Sequence, residues 1–423
     1  MKRSITLIIT LLAAASSAFA QVRVSTPNVE MVLKAEKGGD LQIRYFGGRL
    51  SDADVENIGA AGASHHSAYR AYGLSGASEA SLGVTHADGN MSTSLKVESV
   101  DRTEEASAEV VRIRMKDTVY PFYVTVCYRA YKDVDMIETW TEIENQGKKP
   151  VTLTRFDSGS LPIRVGDVWM SHLHGTWAAE GRLVQEPLER GMMVIKNKDG
   201  SRNSHTDHSE VMFSLDGKPQ ENVGRVIGAA LCYSGNYELR IDTRDTDYHE
   251  FYAGINPDNS AYILEPKEIF RTPELALTYS DEGLSGASRN FHRWGRNYKL
   301  AHGRQLRKIL LNSWEGAYFD FDTRTITDMI DDVKDMGLEM VVLDDGWFGT
   351  EYPRNNSRQG LGDWEPNTAK IPEGIGYLAD YAHSRGVKFG IWIEPEMVSP
   401  KSRLAKEHPE WIVGSEGREK TTI

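Results

Sequence analysis

Apolar and polar residues alternate along short segments in the front of the chain, from residue 21 to about residue 285. The alternation is clearest in Glu109–Asp117 and Asp135–Asn145, and Tyr120–Tyr131 is a more densely apolar version of it. A period of two is typical of strands that place one face in a core. Turn residues separate the segments, at Asn145–Gly147, Lys198–Gly200, Ser234–Asn236 and Pro257–Asn259. The pattern predicts a large antiparallel β-sandwich.

The pattern changes after Lys308. Continuous apolar runs at Lys308–Glu315, Glu339–Gly346 and Val387–Val398 alternate with two helical segments, Thr323–Gly337 and Pro372–Ser384. Strands and helices that alternate with short loops predict a parallel sheet. A doubly wound sheet should carry a glycine-rich phosphate turn after its first strand, and the residues after Glu315 do not resemble one. The pattern therefore favours a (β/α)₈ barrel.

The first predicted barrel helix has clear boundaries. Asp322 or Thr323 can cap its start, and Gly337 suits the position just past its end. Its apolar residues recur at helical spacing and define one face, formed by Ile326, Met329, Ile330, Val333 and Met336.

A basic segment, Ser288–Lys308, joins the two parts of the chain. We predict a sandwich domain over residues 21–285, a helical connector over residues 286–307 and the N-terminal part of a barrel over residues 308–423. The positive charge of the connector would suit an anionic ligand, but a solvated linker face explains it better.

The first twenty residues have the composition of a secretory signal peptide. Lys2 and Arg3 precede an apolar run, Ile5–Ala15, and Ala18 and Ala20 form a small-residue cleavage signal around Phe19. The run is too short to cross a bilayer, and no later segment reaches the roughly 18 apolar residues that a span needs. We expect an exported protein, periplasmic or extracellular, whose mature form begins at residue 21.

The net charge limits the classes of possible partner, and the two cysteines bear on whether a disulfide forms. A formal net charge of −12 argues against nucleic acid or an anionic membrane surface as a partner, because both require a basic patch. Cys127 and Cys232 both lie in apolar, strand-like runs. One disulfide is possible, but two separately buried thiols are the favoured interpretation.

Two adjacent acids, Asp344 and Asp345, follow the second predicted barrel strand. Successive side chains on a strand point to opposite faces, so the pair is a poor candidate for two acids acting across one bond. Both carboxylates reach one ligand only if the strand is already turning. They would then accept strong hydrogen bonds from neighbouring hydroxyls of a sugar. Alternatively, one carboxylate simply bonds backbone amides at the strand end.

Glu394 and Glu396 lie two residues apart after the start of the third predicted strand, so they share a face of an extended chain. Two carboxyl groups on one face suggest a general acid and a base. The alternative is that one or both brace the strand end by bonding neighbouring loops, and the sequence does not separate the two interpretations.

Tryptophans and histidines provide further candidates. Trp314 and Trp392 lie at predicted strand ends, where an indole can stack on the apolar face of a sugar, although most such aromatics belong to the core. The spacings in His172–Gly175 and His205–His208 permit metal ligation. Without a third convergent ligand we interpret these histidines as loop residues, and we expect no metal and no cofactor.

Several motifs together resemble the bacterial α-galactosidases of glycoside hydrolase family 36. "NSWEGAYFDFD", "LDDGWFG", "GLGDWEPNTAKIPEGIGYLA" and "KFGIWIEPEMVSPKSRLAKEHPEW" are similar to the family's barrel. "HLHGTWAAE" and "GAALCYSGNY" are similar to its N-terminal domain. The resemblance covers nearly everything after the leader. It implies an N-terminal antiparallel β-supersandwich followed by an incomplete (β/α)₈ TIM barrel.

The resemblance also implies roles for individual residues. Asp344 and Asp345 match the acids that bind the C4 and C6 hydroxyls of a terminal galactose, and Trp314 and Trp392 match tryptophans of the same subsite. Trp177 matches a tryptophan that the N-terminal domain offers to the site, commonly from a neighbouring subunit. The implied partners are α-galactoside oligosaccharides, and the full-length form is expected to be a homo-oligomer, a tetramer by analogy.

The sequence departs from the family in its catalytic residues. The family retains anomeric configuration by a double displacement, and its nucleophile belongs to a Lys-Trp-Asp motif on the fourth barrel strand. Neither this motif nor the later acid/base Asp is present in these residues. We expect a truncated gene product, with catalytic residues beyond Ile423 and no activity of its own. Val387–Met397 would then be an exposed apolar edge.

Two other functions remain open. An α-N-acetylgalactosaminidase or a galactosyl-transferring relative would share the Asp pair and the barrel. A non-catalytic carbohydrate-binding protein would explain the missing nucleophile, although the Asp pair and the tryptophans belong to a catalytic-site pattern.

Overall fold

The computed structural model describes residues 21–60, 67–73, 79–200 and 206–418. The predicted leader, residues 1–20, lies outside the described residues. The chain divides into two compact units, Met1–Gly303 and Arg304–Ile423, called unit 1 and unit 2 below. Among the described residues, no helix is both long and apolar enough to cross a membrane.

Unit 1 is built mainly from strands. The strands are β1 (Val22–Ser25), β2 (Val29–Lys34), β3 (Gln42–Gly48), β4 (Leu82–Thr85), β5 (Leu95–Glu104), β6 (Ala108–Asp117), β7 (Phe122–Tyr131), β8 (Ile137–Asn145), β9 (Val151–Ile163), β10 (Trp169–His174), β11 (Arg182–Pro187), β12 (Gly191–Lys196), β13 (Asp207–Ser214), β14 (Val226–Leu231), β15 (Tyr237–Asp245), β16 (Tyr248–Ile255), β17 (Tyr262–Leu264), β18 (Ile269–Arg271) and β19 (Leu275–Ser280). The helices are α1 (Asp52–Ala60) and α2 (Gly283–Trp294), and a π-helical segment (Gly295–Lys299) continues α2.

The described strands of unit 1 form three antiparallel sheets. The largest has the order β11-β10-β13-β14-β19-β8-β7-β6-β5, with β18 also paired to β8. The second has the order β12-β15-β16-β9-β17, with β4 paired to β9, and the third is β1-β2-β3. The three segments predicted from alternation became the neighbours β6, β7 and β8, and each predicted turn lies between consecutive strands. The prediction of an antiparallel sandwich is confirmed.

One hydrophobic core joins the three sheets. It contains Met31 of the small sheet, Val126 and Phe213 of the largest sheet and Phe251 of the second. The rings of Phe213 and Phe251 meet edge to face with centroids 5.3 Å apart, so the inner faces of the two large sheets are in contact. This face-to-face packing is the layer arrangement of a β-sandwich.

The two cysteines are free thiols, and Cys127 is buried as expected while Cys232 is only half-buried. Burial raises the pKa of Cys127 to about 12 and that of Cys232 to about 11. Thiols with raised pKa values carry little thiolate and are therefore unreactive.

A buried carboxylate fixes the end of α2 to the sandwich. Glu138 of β8 is fully buried, and its Oε1 accepts from Trp294 Nε1 at 3.1 Å and from Tyr131 Oη at 3.0 Å. Lys299 Nζ lies 2.6 Å from the same oxygen, and Arg129 Nη1 lies 2.9 Å from Oε2. Trp294 and Lys299 come from α2 and its π-helical extension, so the segment predicted as a connector is bonded onto unit 1.

Unit 2 contains a three-stranded parallel sheet. Its elements are β20 (Leu310–Asn312), α3 (Trp314–Ala317), α4 (Thr323–Asp335), β21 (Met340–Leu343), α5 (Gly374–Ser384), β22 (Lys388–Ile391), α6 (Arg403–Glu407) and a 3₁₀ turn (Pro409–Trp411). The order is β20-β21-β22, with both pairs parallel. Asp322 caps α4 in a capping box with Thr325, and Gly337 has a φ of +81°, as predicted. The parallel strand–helix build is confirmed.

Two predicted strands are shorter than expected. Lys308–Glu315 was predicted to be continuous, but β20 ends at Asn312, whose side-chain oxygen accepts from the backbone N–H of Trp314 and turns the chain into α3. Val387–Val398 was also predicted to be one strand, but β22 ends at Ile391. Trp392 N donates one more ladder bond, to Leu343 O, and the chain then leaves the sheet before Pro395.

We predict that Glu138→Gln lowers the free energy of unfolding of the chain by about 2 kcal/mol, because the charge-assisted hydrogen bonds of Lys299 and Arg129 to a fully buried carboxylate are replaced by bonds to a neutral amide. The measurement is urea denaturation at pH 7. The control is Glu98→Gln, which breaks a half-exposed pair with Arg114 and is expected to cost less than about 1 kcal/mol.

The difference in stability between the wild type and Glu138→Gln should depend on pH. Burial acts to raise the pKa of Glu138, but Lys299 and Arg129 outweigh it, so the pKa lies below its ordinary value of 4.5. A lowered folded-state pKa stabilises the fold above the ordinary value, and this stabilisation is lost as the pH falls through the lowered pKa. The gap between wild type and Glu138→Gln should therefore shrink below about pH 4. A gap independent of pH would contradict the role of the ionised carboxylate.

Candidate functional site

The carboxyl ends of the three barrel strands meet at one edge of the sheet. Asn312 ends β20, Asp344 follows β21 and Trp392 follows β22. Asn312 pairs with Val342 in the parallel register, and Leu343 pairs with Ile391, so the three ends are level with one another. The structure therefore brings the predicted acids to the same edge as two predicted tryptophans, because Trp314 follows Asn312 by two residues.

The chain turns at the Asp pair. β21 ends at Leu343, and Gly346 has a φ of +102°, which L side chains rarely adopt. A Cβ at this position would lie 3.0 Å from Phe319 Cδ1 and 3.3 Å from the backbone oxygen of Arg354. The conformation therefore favours glycine there, and a side chain would also be in tight contact with both neighbours. Because the chain turns here, the side chains of Asp344 and Asp345 need not point to opposite faces. This is the condition under which both acids can reach one ligand.

Asp344 is half-buried and held from three directions. Asn312 Nδ2 donates to its Oδ2 at 2.6 Å, and the backbone N–H of Asp345 donates to its Oδ1 at 2.7 Å. Its own backbone N–H donates to Ser313 Oγ at 3.0 Å. A carboxylate offers about four acceptor positions, so this one is oriented but not saturated. Asp344 can accept further hydrogen bonds from a hydroxylated ligand.

Asp345 is buried and paired with Arg354, a residue that no sequence pattern indicated. Arg354 Nε lies 3.0 Å from Oδ1, and Nη2 lies 2.8 Å from Oδ2, so the guanidinium grips both oxygens. The side chains of Arg354 and Asp345 are only 5% and 9% exposed. The two adjacent acids thus have different surroundings, since Asp344 is partly open and Asp345 is enclosed by its partner.

Lys370 ties the loops of the site together. Its Nζ donates to the carbonyl oxygens of Phe319 at 2.7 Å and of Gly346 at 3.0 Å. Burial lowers the pKa of Lys370, and the nearby charges of Asp345 and Asp320 act in the opposite direction. Lys370 therefore joins the loop after Trp314 to the turn that carries the Asp pair. No sequence pattern marked either residue, because Lys370 bonds segments 24 and 51 residues away and Arg354 lies in an irregular loop.

The two tryptophans of the edge are partly exposed. Trp314 packs edge-on against Tyr318 and Phe319, with centroids 5.1 Å and 5.0 Å away. Trp392 contacts Trp364 at 6.4 Å, and its carbonyl oxygen accepts from Trp347 Nε1 at 2.9 Å. Each indole is fixed by neighbours while part of it remains accessible to a ligand.

Glu394 and Glu396 lie in the loop after β22, not on the strand. The idea that they share one strand face is therefore wrong, because the chain has left the sheet before it reaches them. Glu394 is half-buried and Glu396 is exposed.

Trp177 belongs to unit 1, where it lies in the turn between β10 and β11 with 84% of its surface exposed. Of the two histidine motifs, His172 contacts Glu186 and His208 contacts Glu210, while His205 lies outside the described residues. Within the described ranges, no three His, Cys, Asp or Glu side chains converge as a metal site.

Two protein-family models match the chain. The glycosyl hydrolase family 36 N-terminal domain matches residues 39–265, and the melibiase domain matches residues 269–423. These ranges cover almost all of unit 1 after the first strands and the whole of unit 2.

Curated relatives agree with the family models. The α-galactosidase AgaA of Geobacillus stearothermophilus is 35% identical over 328 residues, which are 75% of this chain and 44% of the relative. The α-galactosidase Mel36A of Lactobacillus acidophilus is 35% identical over 323 residues, 74% of this chain and 43% of the relative. The chain thus spans less than half the length of these relatives.

Solved structures have the same fold. A crystal structure of the Geobacillus stearothermophilus AgaA in complex with raffinose superposes with a TM-score of 0.87 at 29% identity, covering 95% of this chain and 60% of that one. The α-galactosidase of Lactobacillus brevis superposes with a TM-score of 0.85 at 26% identity, covering 95% and 58%. The supersandwich and the partial barrel are confirmed, and the chain belongs to glycoside hydrolase family 36.

Proposed function

We propose that this chain supplies the galactosyl-recognition part of an α-galactosidase that acts on oligosaccharides such as raffinose and stachyose. One observation carries the proposal. At the edge of the sheet, the half-buried Asp344 follows the middle strand, β21, while Trp314 and Trp392 follow the two neighbouring strands, β20 and β22. The relatives are α-galactosidases, and variants of one of them, AgaA of Geobacillus stearothermophilus, were solved with raffinose and with stachyose.

The proposed task of Asp344 is to accept hydrogen bonds from hydroxyls of the terminal galactose. Galactose differs from glucose only in its axial C4 hydroxyl, so an acceptor aimed at that position discriminates between the two sugars. An ionised acceptor forms stronger hydrogen bonds than a neutral one. A site that hydrogen-bonds a hydroxyl at one position also discriminates strongly against a sugar that has no hydroxyl at that position. Asn312 supports this task because it orients the carboxylate.

Trp314 and Trp392 supply the apolar part of the proposed subsite. A pyranose has apolar patches of C–H groups that an indole face can cover, and aromatic side chains commonly contribute such contacts in ligand sites. Trp177 is proposed to contact the sugar from a neighbouring copy of the protein in a homo-oligomer. Its support is the resemblance of "HLHGTW" to the family and the exposure of the indole.

Cleavage itself is assigned to other residues. A retaining double displacement requires two carboxyl groups about 5–5.5 Å apart. The family's Lys-Trp-Asp nucleophile motif does not occur in these 423 residues. We therefore assign recognition of the galactosyl group to this chain and not the breaking of the glycosidic bond.

We predict that the 423-residue chain binds galactose more tightly than glucose. We also predict that Asp344→Asn weakens galactose binding by about 2 kcal/mol, roughly thirtyfold, because a charge-assisted acceptor is replaced by a neutral one. Isothermal titration calorimetry measures both affinities. Asp335→Asn is the control, because Asp335 is an exposed acid at the end of α4. Equal affinity of the wild type for the two sugars would overturn the assignment.

We predict that the purified chain releases no nitrophenol from an aryl α-galactoside above the buffer rate, because the family's Lys-Trp-Asp nucleophile motif does not occur among its residues. A fluorescent or chromogenic assay at micromolar enzyme is sufficient. Turnover that persists through purification and is abolished by Asp344→Asn would show that these residues do form a complete catalytic site.

We propose that the protein is exported and that residues 1–20 are removed. The support is the basic, apolar and small-residue pattern of that segment. The expected result of N-terminal sequencing of the protein expressed in a Gram-negative host is a chain that begins at Gln21 and is recovered outside the cytoplasm. A cytoplasmic product that retains Met1 would contradict export.

A further inference from the structure

We propose that Arg354 is a positioning residue for galactosyl recognition: it fixes Asp345 and thereby sets the orientation of the Asp344 carboxylate. This inference rests on the proposed function, since it assigns Arg354 a part in the same site. Arg354 follows Asp345 by nine residues and belongs to a loop that folds back on the turn.

The ion pair has the geometry of a fixed support. The guanidinium contacts both oxygens of Asp345, with Nε at 3.0 Å and Nη2 at 2.8 Å, and both side chains are almost completely buried. A bidentate arginine fixes the plane of a carboxylate as well as its distance. Burial also makes the pair costly to break, since one charge would then be left without compensation.

Arg354 is itself held by its own loop. Its backbone N–H donates to Phe348 O at 3.1 Å, and Nη1 donates to Gln359 O at 3.2 Å. Gln359 Nε2 in turn donates to Pro353 O at 2.8 Å. The guanidinium is therefore held by Gln359 O as well as by Asp345, so its position does not depend on Asp345 alone.

Two glycines allow this loop to close. Gly349 and Gly360 have φ values of +84° and +81°, and a Cβ on either one would collide with the carbonyl oxygen of Tyr352. Both residues thus approach the same point of the backbone from opposite ends of the loop. The loop is a compact, preformed element that carries Arg354 to the Asp pair.

The link from Asp345 to Asp344 is a single hydrogen bond along the backbone. The N–H of Asp345 donates to Asp344 Oδ1 at 2.7 Å, and the carbonyl of the next residue, Gly346, is held by Lys370. If the Asp345 side chain were released, its peptide group could rotate and the donor to Asp344 would move. Arg354 therefore acts on the sugar only through Asp345 and Asp344.

A merely structural role for Arg354 makes a different prediction. In that case, loss of Arg354 would lower stability, but folded molecules would bind galactose as the wild type does. A positioning role requires that folded molecules bind galactose less tightly and distinguish it less well from glucose. Affinity measured well below the melting temperature separates the two roles.

The test compares Arg354→Met and Arg354→Lys with two control variants of the 423-residue chain. Arg385→Met removes an exposed arginine that pairs with Asp331 in the same unit. Leu378→Ala destabilises unit 2 from a fully buried position on α5. Calorimetry gives the affinities for galactose and glucose, and thermal unfolding gives the stability of each variant.

We expect Arg354→Met to weaken galactose binding about tenfold or more and to reduce the preference over glucose, while Arg354→Lys recovers part of both because it restores charge without the bidentate grip. Both controls should bind as the wild type does, although Leu378→Ala melts earlier. If Arg354→Met does not fold, Arg354→Lys alone decides, with a weakened affinity expected.

Unchanged galactose affinity in the folded Arg354 variants, or an equal loss in Leu378→Ala, would overturn the positioning role and leave the proposed function intact. A wild-type chain that binds neither sugar, or binds both alike, would instead overturn the proposed function, and the role of Arg354 would fail with it.

Discussion

A carboxylate that leaves water at the end of β21 must be compensated, and Arg354 compensates Asp345. An unpaired charge at this depth would cost several kcal/mol. Once the pair is formed, the turn at Gly346, the loop that carries Arg354 and the bonds made by Lys370 define one local arrangement. Asp344 is oriented within it. The chemistry proposed for Asp344 thus depends on an interaction that itself need not touch a ligand.

The same physical solution occurs in both units. In unit 1, Glu138 is buried and accepts from the helix and π-helical segment that leave the sandwich. In unit 2, Asp345 is buried and accepts from a loop that returns to the strand. In each case a carboxylate on a strand, or just past its end, holds a segment that is not itself a strand of the sheet. Breaking such a pair leaves a buried charge uncompensated, so each pair favours one arrangement of the segment that it holds.

The helices and strands were predictable because the spacing of apolar residues along a short segment has the period of the element. Alternation located β6, β7 and β8, and helical spacing with the Asp322 cap located α4. Strand ends were less predictable, since β20 and β22 stop where a side-chain bond or a loop diverts the chain. Lys370 left no local signal, because its partners lie 24 and 51 residues away. Arg354 left none because it belongs to an irregular loop, where no period marks a buried position. Glu138 occupies a position that alternation assigns to solvent, and α2 covers it.

A crystal structure of this chain with bound galactose tests the account most directly. The account predicts a sugar ring at the edge formed by β20, β21 and β22, with its C4 or C6 hydroxyl within hydrogen-bond distance of Asp344 and an indole of Trp314 or Trp392 against its apolar face. Asp345 should keep both contacts to Arg354. A galactose bound elsewhere, or a bound galactose that leaves Asp344 without a hydroxyl partner, would contradict the account.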